Sequence, residues 1–238
     1  MPIGIMINVL SVMLGGVVGT IAGHKLSLDF KEKLNMIFGA CAMTMGISTI
    51  TQMENMPAVI FSVVVGTAIG LAIHFGDKVA LLCSQMEKIV SKFITRKESD
   101  ISEEEFKATL ITIIVLFCAS GTGIYGSIVE GMTGDHTILI SKSILDFFTA
   151  IIFACLLGAV VSAIAVPQVI IFMILYLLAG FIYPLTTPAM IGDFEACGGV
   201  LLLATGFRMI KVKMFPTADM IPAMILVMPI SWIWTTFL

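Results

Sequence analysis

Residues 147–192 read FFTAIIFACLLGAVVSAIAVPQVIIFMILYLLAGFIYPLTTPAMIG and contain no Asp, Glu, Lys or Arg. A helix crosses a bilayer core with roughly 20 apolar residues. This run is therefore long enough for two crossings, with Pro167 between them. The pattern recurs outward from it. Residues 2–23, 34–53, 108–129 and 220–238 are each uncharged. A mean hydropathy of +1.08 and 58% hydrophobic residues leave too little polar surface to cover a soluble globule.

These runs predict an all-α polytopic membrane protein of about eight transmembrane helices. The spans fall at 3–23, 34–52, 57–76, 106–129, 141–166, 168–185, 189–210 and 216–236. Met1 to Val9 holds no Lys or Arg, so the N-terminus lacks the basic start of a signal peptide and reads as a permanent span. Basic residues mark the inner side. They gather in the first loop (Lys25, Lys31, Lys33), the third (Lys78, Lys88, Lys92, Arg96, Lys97, Lys107) and the seventh (Arg208, Lys211, Lys213). The opposite loops carry Glu54, then Glu130 and Asp135, then Asp193 and Glu195. Lys142 is the only base near that side. Both termini are expected outside.

The third loop has its own order. Val79, Leu82, Met86, Ile89, Val90 and Phe93 recur at helical spacing, while Lys78, Gln85, Lys88 and Lys92 take the other face. This predicts an interfacial amphipathic helix whose lysines face anionic lipid. A charged linker over 95–104 follows it, and Ser102 with Glu105 forms a capping box for the fourth span.

Gly39 and Gly46 of span two are seven apart, as are Gly199 and Gly206 of span seven. Each pair precedes a polar loop, a proline and another span. Spans one to three thus match spans six to eight. The offset of five spans is odd, so the copies are oppositely oriented, a common transporter plan. The expected organisation is a single membrane domain over 1–238. It comprises a first three-span repeat (1–76), the amphipathic helix and linker (77–105), two central spans (106–166) and a second three-span repeat (167–238).

Gly15, Gly16, Gly19 and Gly23 share one face of span one, and Gly66 with Gly70 does the same in span three. Small residues at this spacing let helix backbones approach closely, either within one subunit or at a homodimer seam. Span four is more unusual. Ser120, Gly121, Thr122, Gly123, Tyr125, Gly126 and Ser127 place three glycines and four hydroxyls inside an apolar run. Two readings stand: a broken helix that exposes backbone groups to a solute, or a packing face whose hydroxyls bond back to their own helix. Gly131 and Gly134-Asp135 follow as a turn.

Span five opens with Lys142 and Asp146, four residues apart and so on one helix face. Ionisable groups inside a span are expensive and mark pathways. The plainer alternative is a snorkelling lysine in an interfacial salt bridge. Asn8 lies two turns into span one. Its amide needs partners, as do Ser48, Thr49, Thr51 and Gln52 at the end of span two. An outward-facing pocket joining them to Lys142 and Asp146 is one possible arrangement. Asp193 and Glu195 read as acids that favour the start of span seven through its dipole.

Several classes are excluded or disfavoured. A net charge of −3 argues against nucleic acid as partner. Cys41, Cys83, Cys118, Cys155 and Cys197 form no CxxC pair, so neither a disulfide framework nor a zinc site is expected. His24, His74 and His136 are isolated, and the seventeen methionines read as apolar filler, so no metal and no cofactor is expected. There is no Walker loop, HExxH pair or GxSxG elbow, so no enzyme is expected.

Three stretches together resemble a known family: Cys118 through Ser127, Gly131 through Asp135, and Thr137 through Asp146. With Ile3-Gly4, Asn8, Gly15-Gly16, Gly198-Gly199 and Gly206, they make the chain similar over its length to the uncharacterised bacterial YqgA/YdfK-like membrane family (domain of unknown function 554). Span four departs from that pattern. Ser120 to Gly126 is more polar than the Gly-Ala-Met-Ala-Ile-Val-Gly of many relatives. The resemblance implies a bacterial inner-membrane protein and no established substrate.

The residues support a secondary transporter or channel for a small solute or ion. In that reading Asp146 is the coupling carboxylate and Lys142 the anion contact. Asn8 with the span-four hydroxyls of Ser120, Thr122, Tyr125 and Ser127 binds the solute. Gly15, Gly19, Gly121, Gly123 and Gly126 serve packing or helix breaking. The alternative is a non-transporting scaffold, sensor or assembly subunit that docks a partner through the amphipathic helix.

Overall fold

The computed structural model describes residues 1–22, 27–93 and 120–237, and between the last two stretches Phe106, Leu110, Ile113, Ile114 and 116–118. Gly23, His24, Lys25, Arg96, Lys97, Lys107 and the expected Ser102–Glu105 capping box lie outside these residues, as do the side chains of Lys31 and of residues 86–93. Every regular element among the described residues is helical. In order they are α1 (Ile3–Ala22), α2 (Leu28–Ile50), α3 (Met56–Ala72), α4 (Phe75–Phe93), α5 (Gly121–Thr133), α6 (Thr137–Leu157), α7 (Val160–Ala163), α8 (Ala165–Ile182), α9 (Pro188–Met209) and α10 (Pro222–Phe237).

Four of these segments are apolar and long enough to cross a bilayer: Ile3–Ile21, Thr137–Leu157, Val160–Leu185 and Pro188–Met209. A fifth is added if α3 and the first half of α4, bent by 62° where they meet, count as one span. The expected eight are not all of this kind, for local reasons. The first turns of α2 carry Asp29, Lys31, Glu32 and Lys33 inside the helix, which lowers its hydropathy. The helix of α10 is 16 residues long and begins at Pro222 rather than Pro216.

The boundary between the fifth and sixth expected spans also moves. Helix α6 stops at Leu157 because Gly158 adopts φ 73°, a left-handed backbone that glycine takes without a Cβ penalty. Pro167 does not close a helix. It sits in the first turn of α8, where its missing N–H costs nothing. Gly131 is likewise no turn residue. It lies inside α5, against the Tyr176 carbonyl and the Ala179 Cβ of α8, and the turn is made by Gly134 with φ 77°.

The chain divides into two compact units, Met1–Lys33 with Val79–Ala179, and Leu34–Lys78 with Gly180–Leu238. In the first, α1 packs along α6 through small residues on both sides. A Cβ on Gly15 would lie 2.9 Å from the Ala150 Cβ, and one on Gly19 would lie 2.8 Å from the Ala154 Cβ. The partner number rises as the glycine number rises, so the two helices run parallel. Val12, Ala150, Ala154, Val161 and Ile164 continue this contact into a core shared with Leu110, Ile113, Ile114 and Phe117. The opposite side of α1 exposes Leu10, Leu14, Val17, Val18 and Ile21, an apolar stripe suited to lipid. Helix α4 splits its apolar residues. Val79 and Cys83 pack on the core, and Leu81 and Leu82 stay exposed.

In the second unit the glycines seven apart prove to face each other. Gly46 in α2 meets the Gly199 carbonyl of α9, and Gly206 meets the Gly39 carbonyl, with 2.7 Å between each would-be Cβ and the oxygen. Here one number rises as the other falls, so α2 and α9 are antiparallel. Helix α3 packs in the same sense on the start of α10 and the turn before it, Gly66 on Ala223 and Gly70 on Asp219.

Candidate functional site

The first unit holds a buried polar chain in an apolar bundle. Lys142 and Asp146 lie one turn apart on α6, where helical spacing pairs their side chains. Lys142 is 3% exposed and Asp146 6%, so the lysine does not snorkel to a surface. The lysine ammonium donates to Asp146 Oδ2. Asn8 of α1 donates from Nδ2 to the same oxygen at 2.8 Å. Gln168 of α8 donates from Nε2 to Asn8 Oδ1 at 2.7 Å, and to the Phe117 backbone carbonyl at 3.4 Å. The Phe117 ring lies under Lys142, with the ammonium 5.9 Å from its centroid. Both ends of the chain therefore return to one residue.

The Phe117 carbonyl is free to accept because the expected fourth span is interrupted. Residues 116–118 are helical, but Ser120 is extended (φ −72°, ψ 144°) and caps a new helix, α5. Its hydroxyl accepts from Gly123 N at 3.1 Å. Carbonyls just before a break lose their helical partners, and Gln168 supplies one. The two readings of this glycine-rich run thus meet in one segment. The helix breaks at Ser120, while Ser127 donates back to the Gly123 carbonyl of its own helix at 2.7 Å. Thr122 and Tyr125 are buried. Gly123 admits the Phe172 ring of α8, and Gly126 admits Leu139 of α6. Gly121 is the first residue of α5.

The hydroxyls that end α2 belong to the second unit and bond within their own helix or the turn that follows. Thr49 donates to the Met45 carbonyl at 2.8 Å and Thr51 to that of Ser48 at 2.6 Å. Among the described residues, no group of three or more His, Cys, Asp or Glu side chains is placed to hold a metal.

Gln168 escaped the sequence reading. It is the only Asn or Gln in the uncharged run 147–192. It also lies 160 positions after Asn8, as Gly199 lies after Gly39 and Gly206 after Gly46. Three carboxylates were missed in another role, each accepting from the backbone at the start of a different helix. Glu130 of α5 accepts from Gly4 N at 2.7 Å and Ile5 N at 3.1 Å, at the start of α1. Asp219 accepts from Gly76 N at 2.7 Å, at the start of α4. Asp193 does not serve its own helix, which Thr187 caps. It accepts instead from Glu54 N and Asn55 N at the start of α3, and from Asn55 Nδ2 and Ser231 Oγ. These acids satisfy orphan N–H groups and sit at the positive end of a dipole.

A family model described as "Protein of unknown function (DUF554)" matches residues 3–232. The chain is 44% identical over 240 residues to "Uncharacterized protein YqgA" of Escherichia coli (strain K12), with 100% of this chain and 99% of the relative covered. It is 25% identical over 227 residues to "Uncharacterized membrane protein YdfK" of Bacillus subtilis (strain 168), covering 94% of this chain and 93% of that one. No solved structure matches. The chain belongs to the DUF554 family, and its apolar helices are those of a membrane protein.

Proposed function

We propose that this DUF554 member is a secondary transporter or channel that moves a small solute or ion across the bacterial inner membrane. The observation that carries the reading is the buried Lys142–Asp146 pair, tied through Asn8 and Gln168 to a carbonyl at a helix break. Ionisable groups inside an apolar bundle mark solute or ion pathways by default, and broken helices build midplane sites in transporters. Asp146 is the coupling carboxylate and Lys142 the anion contact. Ser120 and Ser127 are engaged by the helix itself, so the solute contacts narrow to Asn8, Thr122, Tyr125, Lys142, Asp146 and the break.

We also propose an inverted repeat of spans one to three and six to eight, which fits the same reading. A two-fold that carries residue i onto i+160 demands reciprocal contacts, and Gly39–Gly206 with Gly46–Gly199 is such a pair. Asn8 and Gln168 are mates under the same offset and bond to each other. The pairing of α1 with α6 is parallel, and so is that of α8 with α5, where Gly123 meets Phe172 and Gly131 meets Tyr176 and Ala179. We place eight spans in the membrane with both termini outside, and assign no enzymatic step.

The test is uptake of ions, organic acids, amino acids and nucleobases into proteoliposomes. Flux of one class, lost in Asp146→Asn, is expected. No flux from any class would favour a non-transporting scaffold. That alternative draws on the exposed Leu81 and Leu82 of α4 as a docking face, and predicts that deleting residues 77–104 releases a copurifying protein.

A further inference from the structure

Among the described residues, the polar chain of the first unit has hydrogen-bonding capacity left over at both ends. Gln168 Oε1 is buried and has no hydrogen-bond partner among the described residues. Among the described residues, both hydrogen bonds of the Asp146 carboxylate fall on Oδ2. An ammonium has three N–H donors, and Lys142 directs one of them at Asp146. Among the described residues, an unpartnered acceptor on Gln168 and further N–H donors on Lys142 thus lie in one buried place, around Phe117.

The charges are balanced there, one of each sign. A lone anion or cation entering would leave a net charge in a medium of low dielectric, which is strongly disfavoured. A solute with one charge of each sign would leave the site neutral. Its ammonium supplies N–H donors to Asp146 and Gln168 Oε1, and its carboxylate accepts from Lys142. The pair then exchanges one internal partner for two external ones, with no net charge buried.

We infer that the site takes a small zwitterion with a free ammonium and a carboxylate, of the α-amino acid class, and that Gln168 is a direct solute contact. This rests on the transporter reading above and names its substrate class. The acceptors need N–H groups, so a quaternary ammonium zwitterion should not satisfy them.

The experiment is thermal unfolding of the purified full-length protein with glycine, L-alanine, trimethylglycine, acetate or methylammonium. Glycine or L-alanine is expected to raise Tm by about 5 °C at a hundredfold excess over Kd. The other three should not. The double variant Lys142→Met/Asp146→Asn removes both charges together, so no buried charge is left alone, and it should lose the shift. Gln168→Met, which keeps the pair, should weaken binding tenfold or more. An equal shift with acetate or methylammonium alone, lost in the double variant, would overturn the zwitterion class and leave the transport site standing. A glycine shift that survives in both variants would overturn the site. No shift with any probe, with the double variant as stable as wild type, would overturn the zwitterion class, while the transporter reading stands or falls on the flux measurement above.

Discussion

Asp146 in the first unit and Asp193 in the second are both buried acids in apolar surroundings, 6% and 0% exposed. They differ in what holds them. Asp193 receives two backbone N–H groups on Oδ1, and an amide and a hydroxyl on Oδ2, so both its oxygens are satisfied largely by fixed groups. Asp146 is held on one oxygen by two side chains, each on rotatable bonds. Burial alone therefore does not mark function. A buried acid bonded to backbone stabilises a helix start, whereas one bonded to side chains on rotatable bonds can change partners.

Removing Asp193 should give the largest stability loss. Asp193→Ala strands two N–H groups of α3 and the Ser231 hydroxyl, at a cost of about 4 kcal/mol, and thermal unfolding should show it. Asp193→Asn should recover part, since one acceptor oxygen remains. At the other acid the expectation is a cycle. Lys142→Met leaves a buried carboxylate unpaired and should cost about 3 kcal/mol, whereas Lys142→Met/Asp146→Asn should cost under about 1 kcal/mol. A double variant as damaged as the single would show that the pair is structural, like Asp193.

Smaller effects sharpen the same contrast between fixed and adjustable contacts. Gly46→Ala places a methyl 2.7 Å from the Gly199 carbonyl and should cost about 2 kcal/mol. Gly180→Ala meets nothing within 4 Å and should be neutral or stabilising by about 0.5 kcal/mol. The smallest concerns the α5–α6 turn. Asp135 accepts from the Thr137 hydroxyl and from its N–H, and these bonds hold its carboxyl below the usual carboxylate range. Its stabilisation is present above an unfolded pKa of about 3.9 and is lost as pH falls through the folded value. Thr137→Ala should raise that folded value towards the unfolded one, so the acid-dependent loss is smaller and is complete at a higher pH in thermal melts between pH 5 and 3.

The sequence makes the helical class legible because long uncharged runs have few other outcomes. It brings Lys142 and Asp146 together through helical spacing, and singles out span four through its glycines and hydroxyls. Gln168 was not legible as part of the site, since one amide in an apolar run does not say which helix it meets. The glycines at 39, 46, 199 and 206 suggest repetition, but their mutual packing depends on which helices cross. Asp193 reads as the cap of its own helix because sequence proximity stands in for spatial proximity. Only the fold shows that the nearest free N–H groups belong to α3.

A transporter built on the buried polar chain from Lys142 to Gln168 must open that chain to water on each side of the membrane in turn. In a variant with the five native cysteines replaced, Gln168→Cys in proteoliposomes would be exposed to a membrane-impermeant thiol reagent from outside and, separately, from the lumen. Labelling from each side, slowed by the transported solute, is the expected result. A thiol that reacts from neither side in the folded protein would contradict the transporter reading and make this chain, like Asp193, a structural element.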